Sequence, residues 1–123
     1  MKDKANDEIW RTHRQELRRG TVVLASLLAL RTPGYGYALL QELAEHDIPV
    51  DANTLYPLLR RLEDQGLLTS EWNTDESRPR KVYATSAAGR WILDNLLSDL
   101  DAITASIASL DHTRHTGTEG APS

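Results

Sequence analysis

NTLYPLLRRLEDQGLL, residues 53–68, has the pattern of a short amphipathic helix that ends at a glycine. Its apolar face is a leucine stripe with the spacing i, i+3, i+4 and i+7, formed by Leu55, Leu58, Leu59 and Leu62. Gly66 is the predicted C-terminal cap, because glycine readily takes the left-handed conformation in which many helices end. Asp51 and Asn53 are both good N-caps. Pro57 favours the later start, because proline fits without loss only in the first turn.

The rest of this helix is polar and basic, and carries Asn53, Thr54, Tyr56, Arg60 and Arg61. Asparagine and arginine side chains make paired hydrogen bonds to adenine and guanine edges in the major groove, and threonine can contact a thymine methyl group. These residues therefore indicate a helix that reads DNA. The alternative is an ordinary amphipathic helix with a solvated face.

Two strand-like segments follow, at residues 67–72 and 81–85, and a polar turn joins them. Trp72 ends the first strand and is expected to pack beneath the hairpin. Three cations lie where the turn meets the second strand: Arg78, Arg80 and Lys81. They could hold phosphates or reach into the minor groove, and a merely solubilising turn is the alternative.

Helices are also predicted upstream, at residues 16–31 and 35–46, and residues 1–15 are predicted to form an arm or a loose helix. At the start of the second helix, the Tyr37 hydroxyl and the first amides could meet a DNA phosphate. The order helix, helix, helix, hairpin predicts a mainly α (α+β) fold. We expect a winged helix-turn-helix domain with a two-stranded wing over residues 16–85.

A long fourth helix is predicted at residues 86–110. Its aliphatic residues alternate steps of three and four, as in a coiled-coil seam, at Leu93, Leu96, Leu100, Ile103, Ile107 and Leu110. A helix of about 25 residues is about 37 Å long, which exceeds what so small a domain can cover. A second copy of the chain is therefore predicted to cover the seam. Residues 111–123 are predicted to be a disordered tail.

Composition bounds the class of protein. The 123 residues carry a net charge of −4 and no cysteine, which excludes disulfides and fits a reducing cytosol. No apolar stretch approaches the roughly 20 residues of a membrane span, and the first ten residues do not form a signal peptide, so a cytoplasmic protein is expected. The negative net charge counts against DNA binding, although residues 77–90 hold four cations and no acid. A winged-helix module that binds proteins without DNA is therefore the alternative function.

Candidate sites for other chemistry are few. Glu42 and His46 could share a metal, but no third ligand is apparent. No nucleophile and base stand in a catalytic pattern, so we expect no metal, cofactor or enzymatic activity. Trp10 and Trp91 could line a pocket for a flat ligand beside a dimer seam, with plain core or interface packing as the alternative.

Four segments in this order resemble the PadR family of transcriptional regulators: LRRGTVVLASLLAL (17–30), GYGYALLQEL (34–43), NTLYPLLRRLEDQGLL (53–68) and RPRKVYATSAAGR (78–90). The single long helix after the wing is similar to the smaller branch of that family. Asn53 stands where the family has glycine or another small residue. Leu100 stands where its multidrug-sensing members have a tryptophan midway along the last helix.

The resemblance implies a winged-helix homodimer that represses promoters and releases DNA when a small-molecule inducer binds. It implies a pseudo-palindromic operator whose half-sites lie about one helical turn apart. The third helix would enter the major groove and the wing would contact the flanking backbone. The residues that this resemblance assigns to DNA are Tyr37, Asn53, Thr54, Tyr56, Arg60, Arg61, Arg80 and Lys81.

Overall fold

Helices packed on a leucine core, with a small antiparallel sheet against them, form the protein. The computed structural model describes residues 4–75 and 77–120, and side chains as far as residue 113. Its elements in chain order are α1 (Lys4–Arg18), α2 (Thr21–Ala29), β1 (Gly34–Tyr35), α3 (Gly36–Glu45), α4 (Ala52–Asp64), β2 (Leu68–Asn73), β3 (Arg80–Thr85) and α5 (Ala87–Gly120). The predicted mainly α fold with a winged hairpin is confirmed.

The leucine stripe of α4 is the centre of the core. Leu55 and Leu59 are completely buried, and Leu58 and Leu62 nearly so. Burial of a leucine side chain contributes roughly 1.5–3 kcal/mol, so this stripe fixes which face of α4 turns outward. The stripe packs among leucines and one tyrosine from the other elements, namely Leu27, Leu30, Leu39, Leu43, Leu68, Tyr83 and Leu93.

The first turn of α4 is capped by Asp51, whose Oδ1 accepts a hydrogen bond from the Thr54 amide at 2.9 Å. The helix begins at Ala52, so the prediction of a later start was wrong. Pro57 consequently lies in the second turn, where it has no N–H to donate to the carbonyl of Asn53. Both residues are exposed, so water can solvate that carbonyl and the helix tolerates the proline.

The last turn of α4 ends as predicted at Gly66, which has a φ of 79°. The Leu67 amide donates to the Leu62 carbonyl at 2.9 Å, which is the long bond of a Schellman cap. Asp47 takes the same left-handed conformation after α3, with a φ of 62°. This conformation is unfavourable for a residue that has a side chain, so the backbone of Asp47 carries a local energetic cost.

The sheet has the strand order β1-β3-β2 and is antiparallel. The β2–β3 hairpin pairs Leu68 with Thr85 at one end and Asn73 with Arg80 at the other. The third strand, β1, was not predicted, because two residues are too short to show the alternation of a strand. It adds the segment before α3 to the edge of the wing.

The N-terminal third differs from the predicted single helix at residues 16–31. That segment is divided between α1 and α2 around Gly20, since glycine is a poor helix former. No residue of α1 is buried, so no packing of this helix in the single chain opposes the break. Trp72 was predicted to pack beneath the wing, but it is exposed. Burial falls along its face of β2, from the buried Leu68 through the half-buried Ser70 to Trp72.

The last helix, α5, packs its first turns on the domain and then leaves it. Leu93, predicted as part of the dimer seam, is only 1% exposed and belongs to the core of its own chain. The reason is that the start of α5 contacts α2 and β3. The helix continues to Gly120, past the predicted end at Leu110. Of the predicted disordered tail, residues 121–123 lie outside the described residues.

Candidate nucleic-acid interface

The outward face of α4 presents the predicted reading residues. Burial of the leucines leaves Asn53, Thr54, Arg60 and Arg61 exposed. The first two stand in the first turn of the helix, at the positive end of the helix dipole. The arrangement brings hydrogen-bonding groups together on a rigid element.

Tyr56 has a different environment from its neighbours on α4. It is half-buried, and its ring packs against the start of α3. A Cβ added to Gly36 would lie 2.6 Å from the ring carbon Cε1 of Tyr56. The glycine therefore makes room for the tyrosine, which joins α3 to α4. Tyr37, the next residue on α3, is 63% exposed and is available to a ligand of this surface.

The wing is braced by an aromatic stack near its tip. The guanidinium carbon of Arg80 lies 4.1 Å from the centroid of the Tyr35 ring. The Tyr35 hydroxyl in turn accepts a hydrogen bond from Nδ2 of Asn73 at 2.6 Å. Because Tyr35 belongs to β1, the cation on β3 is positioned by the strand that leads into α3.

Lys81, the other predicted wing contact, is engaged within the chain. Its Nζ lies 3.1 Å from Oε1 of Glu63, in the last turns of α4. The Ser70 hydroxyl donates to the other carboxylate oxygen of Glu63. The Ser70 hydrogen bond, assisted by Lys81, holds the pKa of Glu63 below its ordinary value, although burial acts to raise it. Sequence reasoning missed this pair, because its members lie 18 residues apart on different elements.

A basic groove opens beside the first turns of α4. One wall is the face of α1 that carries Arg11, Arg14 and Arg18, spaced i, i+3 and i+7. The opposite wall includes Thr54 and Arg61. Sequence reasoning did not assign these three arginines, although their helical spacing was visible. In all, the groove is lined by five arginines and one acid, on a chain whose net charge is −4.

The seam of α5 is open in the single chain beyond Leu93. Exposure rises along the helix from 36% at Leu96 to 67% at Leu110, with Leu100, Ile103 and Ile107 between them. Trp10 and Trp91 are also exposed, on α1 and α5 respectively. The single chain does not enclose either indole, so the ligand pocket predicted for them stays a prediction.

Neither a metal site nor a membrane-spanning helix is found in the part of the chain that the structure describes. No three His, Cys, Asp or Glu side chains there are grouped so that they could hold a metal ion. No helix in it combines the length and the apolar character needed to cross a membrane.

Fold and surface together define a winged-helix protein with a long additional helix. The pattern of the transcriptional regulator PadR-like family matches residues 23–95. Transcriptional regulator Rv3488 of Mycobacterium tuberculosis is 39% identical over 85 residues, which cover 68% of this chain and 79% of that protein. The chain therefore belongs to the PadR-like family of transcriptional regulators, and the resemblance seen in its sequence is confirmed.

Solved structures agree with this assignment. A PadR family transcriptional regulator from Eggerthella lenta superposes with a TM-score of 0.85 and 47% identity, over 88% of this chain and 96% of that one. Bacillus subtilis PadR in complex with operator DNA superposes with a TM-score of 0.58 and 23% identity, over 63% of this chain and 45% of that one. The likeness to Bacillus subtilis PadR shows that the two proteins share a fold.

Proposed function

We propose that this regulator binds double-stranded DNA sequence-specifically as a homodimer, with α4 in the major groove and the β2–β3 wing on the flanking backbone. The observation that carries the proposal is the outward face of α4, where Asn53, Thr54 and Arg60 are exposed opposite a fully buried stripe. These side chain types make the specific base contacts of the major groove. Bacillus subtilis PadR, which shares the fold, was solved with operator DNA.

The affinity for the DNA backbone would come from cations around this face. Arg80 is positioned by its stack on Tyr35, and Arg61 lies beside the arginine-lined groove. Phosphate contacts of this kind set the orientation of a protein on the duplex, while base contacts supply the sequence preference.

The homodimer rests on the exposed aliphatic residues of α5. Leu96, Leu100 and Ile103 remain 36–48% exposed in the single chain, and burial of such surface is favourable by about 25 cal/mol per Å². A second copy would present the same stripe, as a two-fold interface requires. Two α4 helices related by that axis would bind a pseudo-palindromic operator with half-sites about one helical turn apart.

Repression and its relief complete the proposal. A dimer bound at a promoter would repress transcription by occupying it, and a small-molecule inducer between α1 and α5 would release it. Trp10 and Trp91 support an aromatic ligand there, since both indoles are exposed on these two helices. The protein would act in the cytoplasm, where its DNA lies.

The decisive experiment is selection of genomic DNA fragments with the purified protein, followed by anisotropy titrations of a selected duplex over a range of salt concentrations. We expect sequence-selective binding that weakens steeply with salt. Arg60→Ala should cost about 1–3 kcal/mol at a single operator position if Arg60 reads a base. Equal loss on every duplex would make Arg60 a phosphate contact. Absence of salt-sensitive binding to any duplex would favour the protein-binding module instead.

A further inference from the structure

Glu63 joins the proposed reading helix to both strands of the wing. One carboxylate oxygen lies 3.1 Å from Nζ of Lys81 on β3, and the other accepts the hydroxyl of Ser70 on β2. The acid thus belongs to α4, while both of its partners belong to the hairpin. No step of the proposed DNA binding uses it.

The ion pair with Lys81 is sheltered. The two side chains are 30% and 29% exposed, and the Lys81 ammonium also lies 5.5 Å from the centroid of the Tyr83 ring. Salt screens a partly buried pair much less than a surface pair. In the protein without DNA, the positive charge of Lys81 is therefore largely balanced by the carboxylate of Glu63.

This balance has a consequence for phosphate binding. A lysine contributes to DNA affinity by releasing the cations condensed on the duplex. When a carboxylate stays beside the ammonium, the pair offers the duplex no net charge, and the carboxylate repels the phosphate. A phosphate can gain the full contact only by displacing Glu63 from Lys81.

We propose that Glu63 is an intramolecular competitor of DNA for Lys81, and that it thereby limits the affinity and the salt dependence of the contact between wing and backbone. The inference rests on the proposed DNA binding. In this role, Glu63 on α4 keeps the sequence-independent part of the affinity for DNA low. Because this part does not depend on sequence, the ratio of specific to non-specific affinity should not depend on Glu63.

The test compares Glu63→Gln with a matched control, Asp64→Asn. Both changes remove one negative charge from α4, but Asp64 is exposed and has no ion pair among the described residues. Glutamine keeps an oxygen that can accept the Ser70 hydroxyl, so the fold should persist, as a thermal melt would show. Glu63→Met, of similar length, is the second neutral variant. Each change is also made in a Lys81→Met background, and the dissociation constant is measured against salt for a selected and a random duplex.

We expect Glu63→Gln to tighten binding to both duplexes roughly three- to tenfold more than Asp64→Asn does. It should also steepen the slope of log affinity against log salt by about 0.9, the value for one phosphate contact. In the Lys81→Met background this excess should vanish. Equal effects of Glu63→Gln and Asp64→Asn, or an excess that persists without Lys81, would overturn the inference. If the wild-type protein binds no duplex, the proposed DNA binding itself fails. If it binds DNA but the variants show no such excess, only the proposed role of Glu63 fails.

Discussion

The carbonyl oxygen of Leu67 occupies the space where a side chain of Gly89 would begin, since a Cβ built on that glycine would lie 2.1 Å from it. The first turn of α5 can therefore touch the turn between α4 and β2 only because residue 89 has no side chain. Ser86 aligns this turn by accepting the Gly89 amide on its hydroxyl at 3.0 Å. Both groups in this contact belong to the backbone, so neither can move aside as the end of a flexible side chain could.

Gly89→Ala should consequently destabilise the protein, although alanine is the better helix former. Overpacking of this kind costs typically 1–3 kcal/mol, measurable as a lower free energy of unfolding in urea. Gly20→Ala is the matched control, because nothing lies within 4 Å of a Cβ there and its φ is −69°. The control should be neutral or stabilising. A Gly89→Ala variant as stable as the control would show that α5 can shift away from Leu67 without cost.

Substitution of Gly66 separates the effect of backbone conformation from the effect of steric clash. A Cβ at this position would also meet nothing within 4 Å, but the φ of +79° is unfavourable for any side chain. Gly66→Ala should lower the free energy of unfolding by about 1 kcal/mol, in contrast to Gly20→Ala. Since no contact is lost, DNA binding by the folded variant should be unchanged. Equal stability of the Gly66→Ala and Gly20→Ala variants would contradict the left-handed cap.

The proposed seam of α5 is tested by Leu100→Asp. Leu100 is 42% exposed in the single chain, so the change should leave the domain folded but place a charge within the dimer interface. Light scattering should show a monomer, and operator binding should weaken because the two copies of α4 are no longer linked. Ser98→Asp, an exposed position off the seam, should remain dimeric. A dimeric Leu100→Asp variant would place the interface elsewhere.

Glu63 should also make stability depend on pH in the acid range. Its pKa is lowered in the folded chain, first by the Ser70 hydroxyl, so its stabilising contribution is present above the unfolded pKa of roughly 4.3 and is lost as the pH falls through the folded pKa. The difference in unfolding free energy between wild type and Glu63→Gln should therefore shrink on acidification. In Ser70→Ala, an NMR titration of the Glu63 carboxyl should give a higher pKa. An unchanged midpoint would remove the Ser70 hydrogen bond as the cause.

Local patterns predicted those parts of the fold that depend on neighbours in the chain. The stripe from Leu55 to Leu62 can be recognised in the sequence because four leucines repeat at helical spacing. Burial of these leucines then determines which residues of the helix face outward. The cap at Gly66 is equally local. Pro57 misled the prediction of the helix start, because the cost of a missing N–H depends on whether the orphaned carbonyl reaches water, and a sequence does not state that.

The site was less predictable wherever it depends on contacts between elements. Lys81 looks like a free cation on a hairpin until folding brings Glu63 beside it. Leu93 and Leu96 illustrate the same limit on α5, since both fit the seam, yet the chain itself covers only the first. Periodicity identifies an apolar face, whereas the element that covers the face follows from tertiary packing.

The short strand β1 has a mechanical consequence. It pairs with β3, and the Thr85 amide at the end of β3 donates to the Leu30 carbonyl after α2 at 2.8 Å. These backbone contacts hold the hairpin of the wing against the helical part of the same chain. In the proposed dimer, a bound small molecule would therefore act by changing the distance and the angle between the two winged-helix domains, and not the shape of either domain.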